Sequence, residues 1–246
     1  MNIQTKDSRS RSISIQTWAR LAALLLLFSV VAGGFGEAYA PSKLIVSGNP
    51  AATAANIIAH GSLFRIGFAA YLIEAFCDIA LAFTFYVLLR AVQKDLALLA
   101  AFFGLVSTAV YAVAQIFYFA ALIILRSRQV LPMFSVEQIN GLAFLSVRIS
   151  GHIGWIFLAL YGIPTILRGY LIYCSEYLPK ILGILFIIAG VGFILKDFAT
   201  VLAPAYASDL LLLPMFVALL ALMSWLFVKG VDVTRWEQRS SLANES

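Results

Sequence analysis

Six runs of apolar residues, each about 20 residues or longer, decide what this chain can become, because a run of that length crosses the hydrocarbon core of a bilayer as a helix. They lie near 18–40, 63–89, 96–125, 142–167, 181–202 and 210–228. Only helices and closed barrels satisfy their backbone groups in lipid. These runs are too long and too uniformly apolar to be barrel strands, which alternate over about 10 residues. Composition agrees: 62% of residues are hydrophobic, 12% are charged, and the mean hydropathy is +0.95. A water-soluble fold of this size keeps too much surface to hide that apolar content. A soluble enzyme, a disordered chain and a disulfide-rich secreted module are therefore excluded. The expected fold class is all-α, a polytopic integral membrane bundle of six transmembrane helices. One domain spans 17–229, between a disordered N-terminal segment 1–16 and a tail 230–246, with the polar ends 1–13 and 240–246 expected to be disordered.

Orientation follows from the basic residues. With the N-terminus inside, Lys6, Arg9, Arg11, Arg20, Arg90, Lys94, Arg168, Lys180, Lys229, Arg235 and Arg239 fall in inner segments. Lys43, Arg65, Arg126 and Arg128 fall outside, and Arg148 and Lys196 within spans. The bias predicts cytoplasmic termini. The net charge of +5 is explained by this bias. Nucleic-acid binding is not expected, since no basic run is interleaved with stacking aromatics. Ala38-Tyr39-Ala40 offers a rival reading of the first run as a signal peptide. The long basic region and Pro41 directly after the would-be cut weigh against it. Cys77 falls near mid-membrane and Cys174 in an inner connection, too far apart for a disulfide.

Between the first two runs, Gly48-Asn49-Pro50 signals a turn, and 51–59 reads as a short interfacial helix capped by Asn49. The short connection 90–95 makes the second and third helices an antiparallel hairpin. The outer segment 126–141, with Pro132, is expected to hold another short helix. Pro164 is expected to kink the fourth helix near its inner end, and Pro214 to sit in the first turn of the sixth.

Three stretches, PAATAANIIAHGSLFRIG at 50–67, GHIGWIFLALYG at 151–162 and GYLIYCSEYLPKILGILFIIAGVGF at 169–193, resemble a bacterial membrane-protein family catalogued as domain of unknown function 4386. The resemblance covers most of the chain. It implies a multi-helix integral membrane protein with no assigned activity, no cofactor and no catalytic residues to carry over. It also implies that the first span is retained. The family often has a small residue where Glu176 stands.

The spans carry ionisable groups, and each costs at least about 2.5–3.5 kcal/mol to insert. Glu74 and Asp78 lie one turn apart on the second span, Arg148 and His152 one turn apart on the fourth. Lys196 and Asp197 lie on the fifth, Glu37 near the outer end of the first, and Arg65 opens the second. With alternating helix direction all eight fall in the middle or outer half of the bilayer. They are expected to line one polar cavity between the second, fourth and fifth helices, near the outside. Two carboxylates one turn apart resist joint ionisation in low dielectric. The surplus acid is thus met by a proton or a bound cation, or by a closed ion-pair network in which Arg148 bridges Glu74 and Asp78. His152 reads most simply as hydrogen-bonded packing, with a proton relay as the alternative. Metal clusters, H-E-x-x-H and G-x-S-x-G are absent from the sequence.

Small residues recur every fourth position on the third span at Ala100, Gly104, Thr108 and Ala112. This stripe permits close helix packing within the chain or in a homo-oligomer. Gly33, Gly34 and Gly36 loosen the first span, and Gly183, Gly190 and Gly192 the fifth. The expectation is a membrane protein binding a small polar or cationic ligand for transport or sensing, with membrane lipids as its other partners. The alternative is a structural or regulatory subunit whose charges only join helices. An intramembrane enzyme is the weakest reading.

Overall fold

A computed structural model describes residues 13–127 and 131–245. Lys6, Arg9, Arg11 and Arg128, and the expected disorder of 1–12 and of Ser246, lie outside the described residues. The apolar runs become six long helical segments, and a helical path continues further than hydropathy suggests. The first is continuous from Ile15 to Leu44: α1 (Ile15–Gly33), a widened π-helical stretch (Gly34–Tyr39) and α2 (Ala40–Leu44). Then come α3 (Pro50–Ala59), α4 (Gly61–Leu89), α5 (Lys94–Arg126), α6 (Val136–Cys174), α7 (Lys180–Leu202), α8 (Leu213–Val228) and α9 (Val233–Glu245).

Side-chain caps set several starts. Ser14 accepts from the Thr17 N–H at 3.2 Å. Asn49 accepts from the Ala52 N–H at 3.0 Å and so begins α3, as the turn signal predicted. Ser135 and Gln138 form a reciprocal capping box at the start of α6. Among its described residues, the connection after α5 holds a 3-10 turn at Leu131–Met133. Pro164 lies inside α6 without ending it, and Pro214 falls in the first turn of α8. The expected disorder of 240–245 is corrected: α9 continues through Glu245. Its Trp236 indole donates to the Leu88 carbonyl at 3.0 Å, and Arg239 donates to that of Cys174 at 3.3 Å, so side-chain anchors hold the tail on the bundle.

Each long helix packs on its neighbours in chain order, α1 on α4, α4 on α5, α5 on α6, α6 on α7 and α7 on α8; α8 returns to α1 and closes the ring. One end, hereafter the basic end, gathers Arg90, Lys94, Lys180, Lys229, Arg235 and Arg239 at helix termini and turns. The other is the far end. Inside the ring are two apolar clusters. The basic-end cluster includes Leu26, Leu81, Phe85, Leu171, Phe186 and Leu222. The far-end cluster includes Phe64, Tyr71, Tyr111, Tyr118 and Phe157. Between them in sequence fall Asp78 on α4, Ser107 and Thr108 on α5, and Thr165 and Arg168 on α6, so a polar layer separates the two clusters.

Helices α6 and α7 approach through reciprocal glycine pairs. A Cβ on Gly183 would lie 2.5 Å from the Gly169 carbonyl oxygen, and one on Gly190 2.6 Å from that of Gly162. The glycines read as loosening the fifth span are therefore sites of close backbone packing. The α5 stripe is also used within the chain. Ala100, Gly104 and Thr108 are buried, and only Ala112 faces outward.

Candidate functional site

The far half of the polar layer is built where α1 widens. In the π-helical stretch Gly34–Tyr39 the backbone takes one wide turn, a local distortion frequent at functional sites. Glycines bring α1 against α4 here. A Cβ on Gly36 would lie 3.3 Å from the Gly67 carbonyl oxygen, and one on Gly33 would lie 2.6 Å from Glu74 Oε1. The Glu74 carboxyl therefore rests directly on the Gly33 backbone.

From α5, Tyr111 Oη reaches both carboxyl groups, at 2.6 Å from Glu74 Oε2 and 3.0 Å from Glu37 Oε1. A phenol has one hydrogen to donate and can also accept. It cannot donate to both acids. If it donates to Glu74, the Glu37 contact is a hydrogen bond only when Glu37 carries a proton to donate back, and the converse holds equally. Both contacts are hydrogen bonds at once only when one of the two carboxyl groups carries a proton. Its walls are apolar or aromatic: Tyr71 stands edge-on to Tyr111 at 5.8 Å between ring centres, and Phe157 lies 4.8 Å away. Glu37 is exposed on the flank of the bundle within the first span, Glu74 is half-buried, and Tyr111 is buried, so the trio leads inward from that flank.

One turn deeper on α4, Asp78 is 8% exposed and accepts from Ser29 Oγ at 3.3 Å. The buried cation of this part of the bundle is Arg168, 3% exposed; among the described residues it makes no ion pair or hydrogen bond with Asp78, whose partner is Ser29. Its guanidinium lies 5.1 Å from the Phe85 ring centre and 5.8 Å from that of Tyr161, a cation held over aromatic faces. Gly104 leaves it room, since a Cβ there would lie 2.8 Å from Arg168 Nη2.

Of the eight residues singled out from sequence, the structure brings Glu37 and Glu74 together, with Asp78 one turn below. It does not bring in the others. Arg148 and His152 are exposed on the outward face of α6, where His152 Nδ1 bonds the Arg148 carbonyl at 2.7 Å. The expected Arg148 bridge between Glu74 and Asp78 is therefore corrected. Lys196 turns away from Asp197 and pairs with Asp209 at 2.8 Å. Asp197 is 4% exposed, and neither carboxyl oxygen has a hydrogen-bond partner. Arg65 is exposed near the start of α4. A single cavity holding all eight does not form; they divide among the bundle interior, α7 and the outer surface.

Sequence reasoning missed Arg168, Tyr111 and Ser29. Arg168 was placed in an inner connection because the apolar run stops at Leu167, yet α6 continues to Cys174. The signal was present: acids at the middle of one span call for a cation at similar depth on another. Tyr111 lies seven residues after Gly104, on the same helical face. Among the described residues no three His, Cys, Asp or Glu side chains gather as a metal cage, and Cys77 and Cys174 are free thiols.

Comparison with known proteins gives a family without an activity. The family described as Domain of unknown function (DUF4386) matches residues 21–230. An uncharacterized protein of Archaeoglobus fulgidus is 29% identical over 153 residues, which cover 62% of this chain and 76% of that protein. No solved structure matches.

Proposed function

This chain belongs to the DUF4386 family, and from that premise we propose that it is a multi-pass membrane protein that binds a small cation, in its simplest form a proton, at Glu37, Glu74 and Tyr111 for transport or sensing. The observation that carries this reading is the pair of carboxyl groups on one phenol hydroxyl. Two acids there hold one proton between them, and a small cation takes its place by neutralising the same oxygens. Asp78 lies directly beneath as a further acceptor. The basic end is the cytoplasmic side of an inner membrane in this reading, supported by the Lys and Arg collected there. The site then lies toward the outside.

The structural reading has its own supporting observation, deeper in the bundle. Arg168 on α6 and Asp78 on α4 are both buried, and opposite charges inside a bundle can tie its helices together. The two readings occupy neighbouring levels: exchange at Glu37 and Glu74, cohesion at Asp78 and Arg168.

Thermal unfolding in mild detergent separates them. The wild type is expected to lose stability as rising pH strips the shared proton, and to regain it on addition of a small cation. Glu74→Gln, which keeps the hydrogen bond without the charge, is expected to remain folded and to lose the cation response. A wild-type melting temperature indifferent to pH and to a panel of alkali and organic cations would overturn the proposal. So would an unchanged response in the variant.

A further inference from the structure

Arg148 and His152 have a use of their own on the outside of the ring. They lie in a shallow, open depression of about 580 Å³ on the outward face of α6, lined by that helix alone, with Phe144, Ile149, Ile153 and Ile156 beside them. No acid lines it, and Arg148 makes no ion pair among the described residues. An unpaired cation beside an apolar face is complementary to one kind of molecule, an anion joined to a hydrocarbon chain. Its depth suits the same molecule. Tyr170 and Tyr173 are exposed near the basic end of α6, where interfacial aromatics gather. Arg148 stands 22 residues from Tyr170, about 33 Å along the helix, close to the thickness of a hydrocarbon core. It therefore reaches the opposite headgroup layer.

We propose that this depression binds one anionic phospholipid, its phosphate on Arg148 and His152 and an acyl chain along Ile149, Ile153 and Ile156. The hydrogen bond from His152 Nδ1 to the Arg148 carbonyl fixes the imidazole and leaves Nε2 free to face the headgroup. Trp155 lies 4.3 Å from the His152 ring centre and supports it from the membrane side. A second copy of the chain is a poorer occupant. Two copies in one bilayer are related by an axis along the membrane normal, so equal depths meet and Arg148 would face Arg148. The nearest acid along this helix, Glu137, is 11 residues away, about 16 Å too shallow to answer it.

The test is native mass spectrometry of the full chain in mild detergent, titrated with equal amounts of phosphatidylglycerol and phosphatidylcholine of identical acyl chains. The wild type is expected to retain the anionic lipid about fivefold more, the factor one basic residue supplies against an anionic headgroup layer. Arg148→Gln is expected to abolish that preference and Arg148→Lys to keep most of it. Arg65→Gln, a neutralised cation elsewhere on the far-end surface, is expected to leave it intact. Equal retention of both lipids by the wild type would overturn the proposal, as would an unchanged preference in Arg148→Gln. A dimer that Arg148→Gln disperses would overturn it in favour of a protein interface. These outcomes are independent of the Glu37–Glu74 site, whose test reads cation response rather than lipid.

Discussion

Helix α6 carries two arginines 20 residues apart with opposite fates. Arg148 lies within the hydropathic run and is exposed; Arg168 lies beyond the run and is buried. Hydropathy ranks them the other way round. It averages side chains along the chain and places a boundary at the first charge. A helix, however, ends where its backbone is capped or turned, and α6 turns at Glu176, beyond Cys174. What decides burial is the face presented. Arg168 points to Gly104 and Phe85 inside the ring, while Arg148 shares the outward stripe with Phe144 and Ile156.

The largest effect expected from this difference is on stability. Arg168→Ala should cost about 2 kcal/mol or more by removing a buried cation from the faces of Phe85 and Tyr161. Arg148→Ala should change the unfolding midpoint little. Denaturant titration in detergent reads both, and equal effects would erase the distinction. Adding Asp78→Asn to Arg168→Ala measures whether the two groups are coupled: recovery of part of the loss means that they are, and simple addition of the two losses means that they are not.

Next in size is Gly104→Ala, which sharpens the contrast by acting on Arg168 alone. The added methyl falls on the guanidinium, the far end of a flexible side chain, so the cost is at the low end of overpacking, about 1 kcal/mol. In an Arg168→Leu background the same substitution should cost measurably less, because the atoms it strikes are gone. Equal costs in both backgrounds would mean that Gly104 makes room for something else.

The smallest effect tests where α6 ends. Glu176 adopts φ +62°, a left-handed conformation that costs an ordinary residue about 1–2 kcal/mol and glycine little. Glu176→Gly should therefore raise stability by about 1 kcal/mol. The turn is held in place: Arg235 donates to the Glu176 carbonyl at 3.0 Å, and Tyr177 Oη donates to that of Leu88 at 2.7 Å. A chain that left the helix near Leu167 would not respond to the substitution.

The six spans were legible because a ~20-residue apolar run in lipid has essentially one backbone solution. The Asn49 cap and the short helix after it were legible because capping is local chemistry. The polar cluster was legible only in part. Glu74 and Asp78 share a helix, so their spacing fixes their relation. Glu37, Tyr111 and Arg168 come from three other helices, and which faces meet depends on how the ring closes, which periodicity does not encode. The nearly uniform apolar character of α4 left no polar face to mark its inward side. The glycines of α1, α6 and α7 were visible, but their meaning was not: Gly33 is the floor under Glu74, and Gly183 and Gly190 are contacts on α6.

The most direct test of the shared proton is infrared spectroscopy of the protein in detergent at neutral pH, in buffer free of added small cations. The wild type should show the C=O stretch of a protonated carboxyl group, and the Glu37→Gln/Glu74→Gln double variant should lose that intensity. Adding the stabilising cation to the wild type should remove it as well. A wild type whose protonated-carboxyl band is absent, or is identical to that of the double variant, would contradict the arrangement of two acids and one proton around Tyr111.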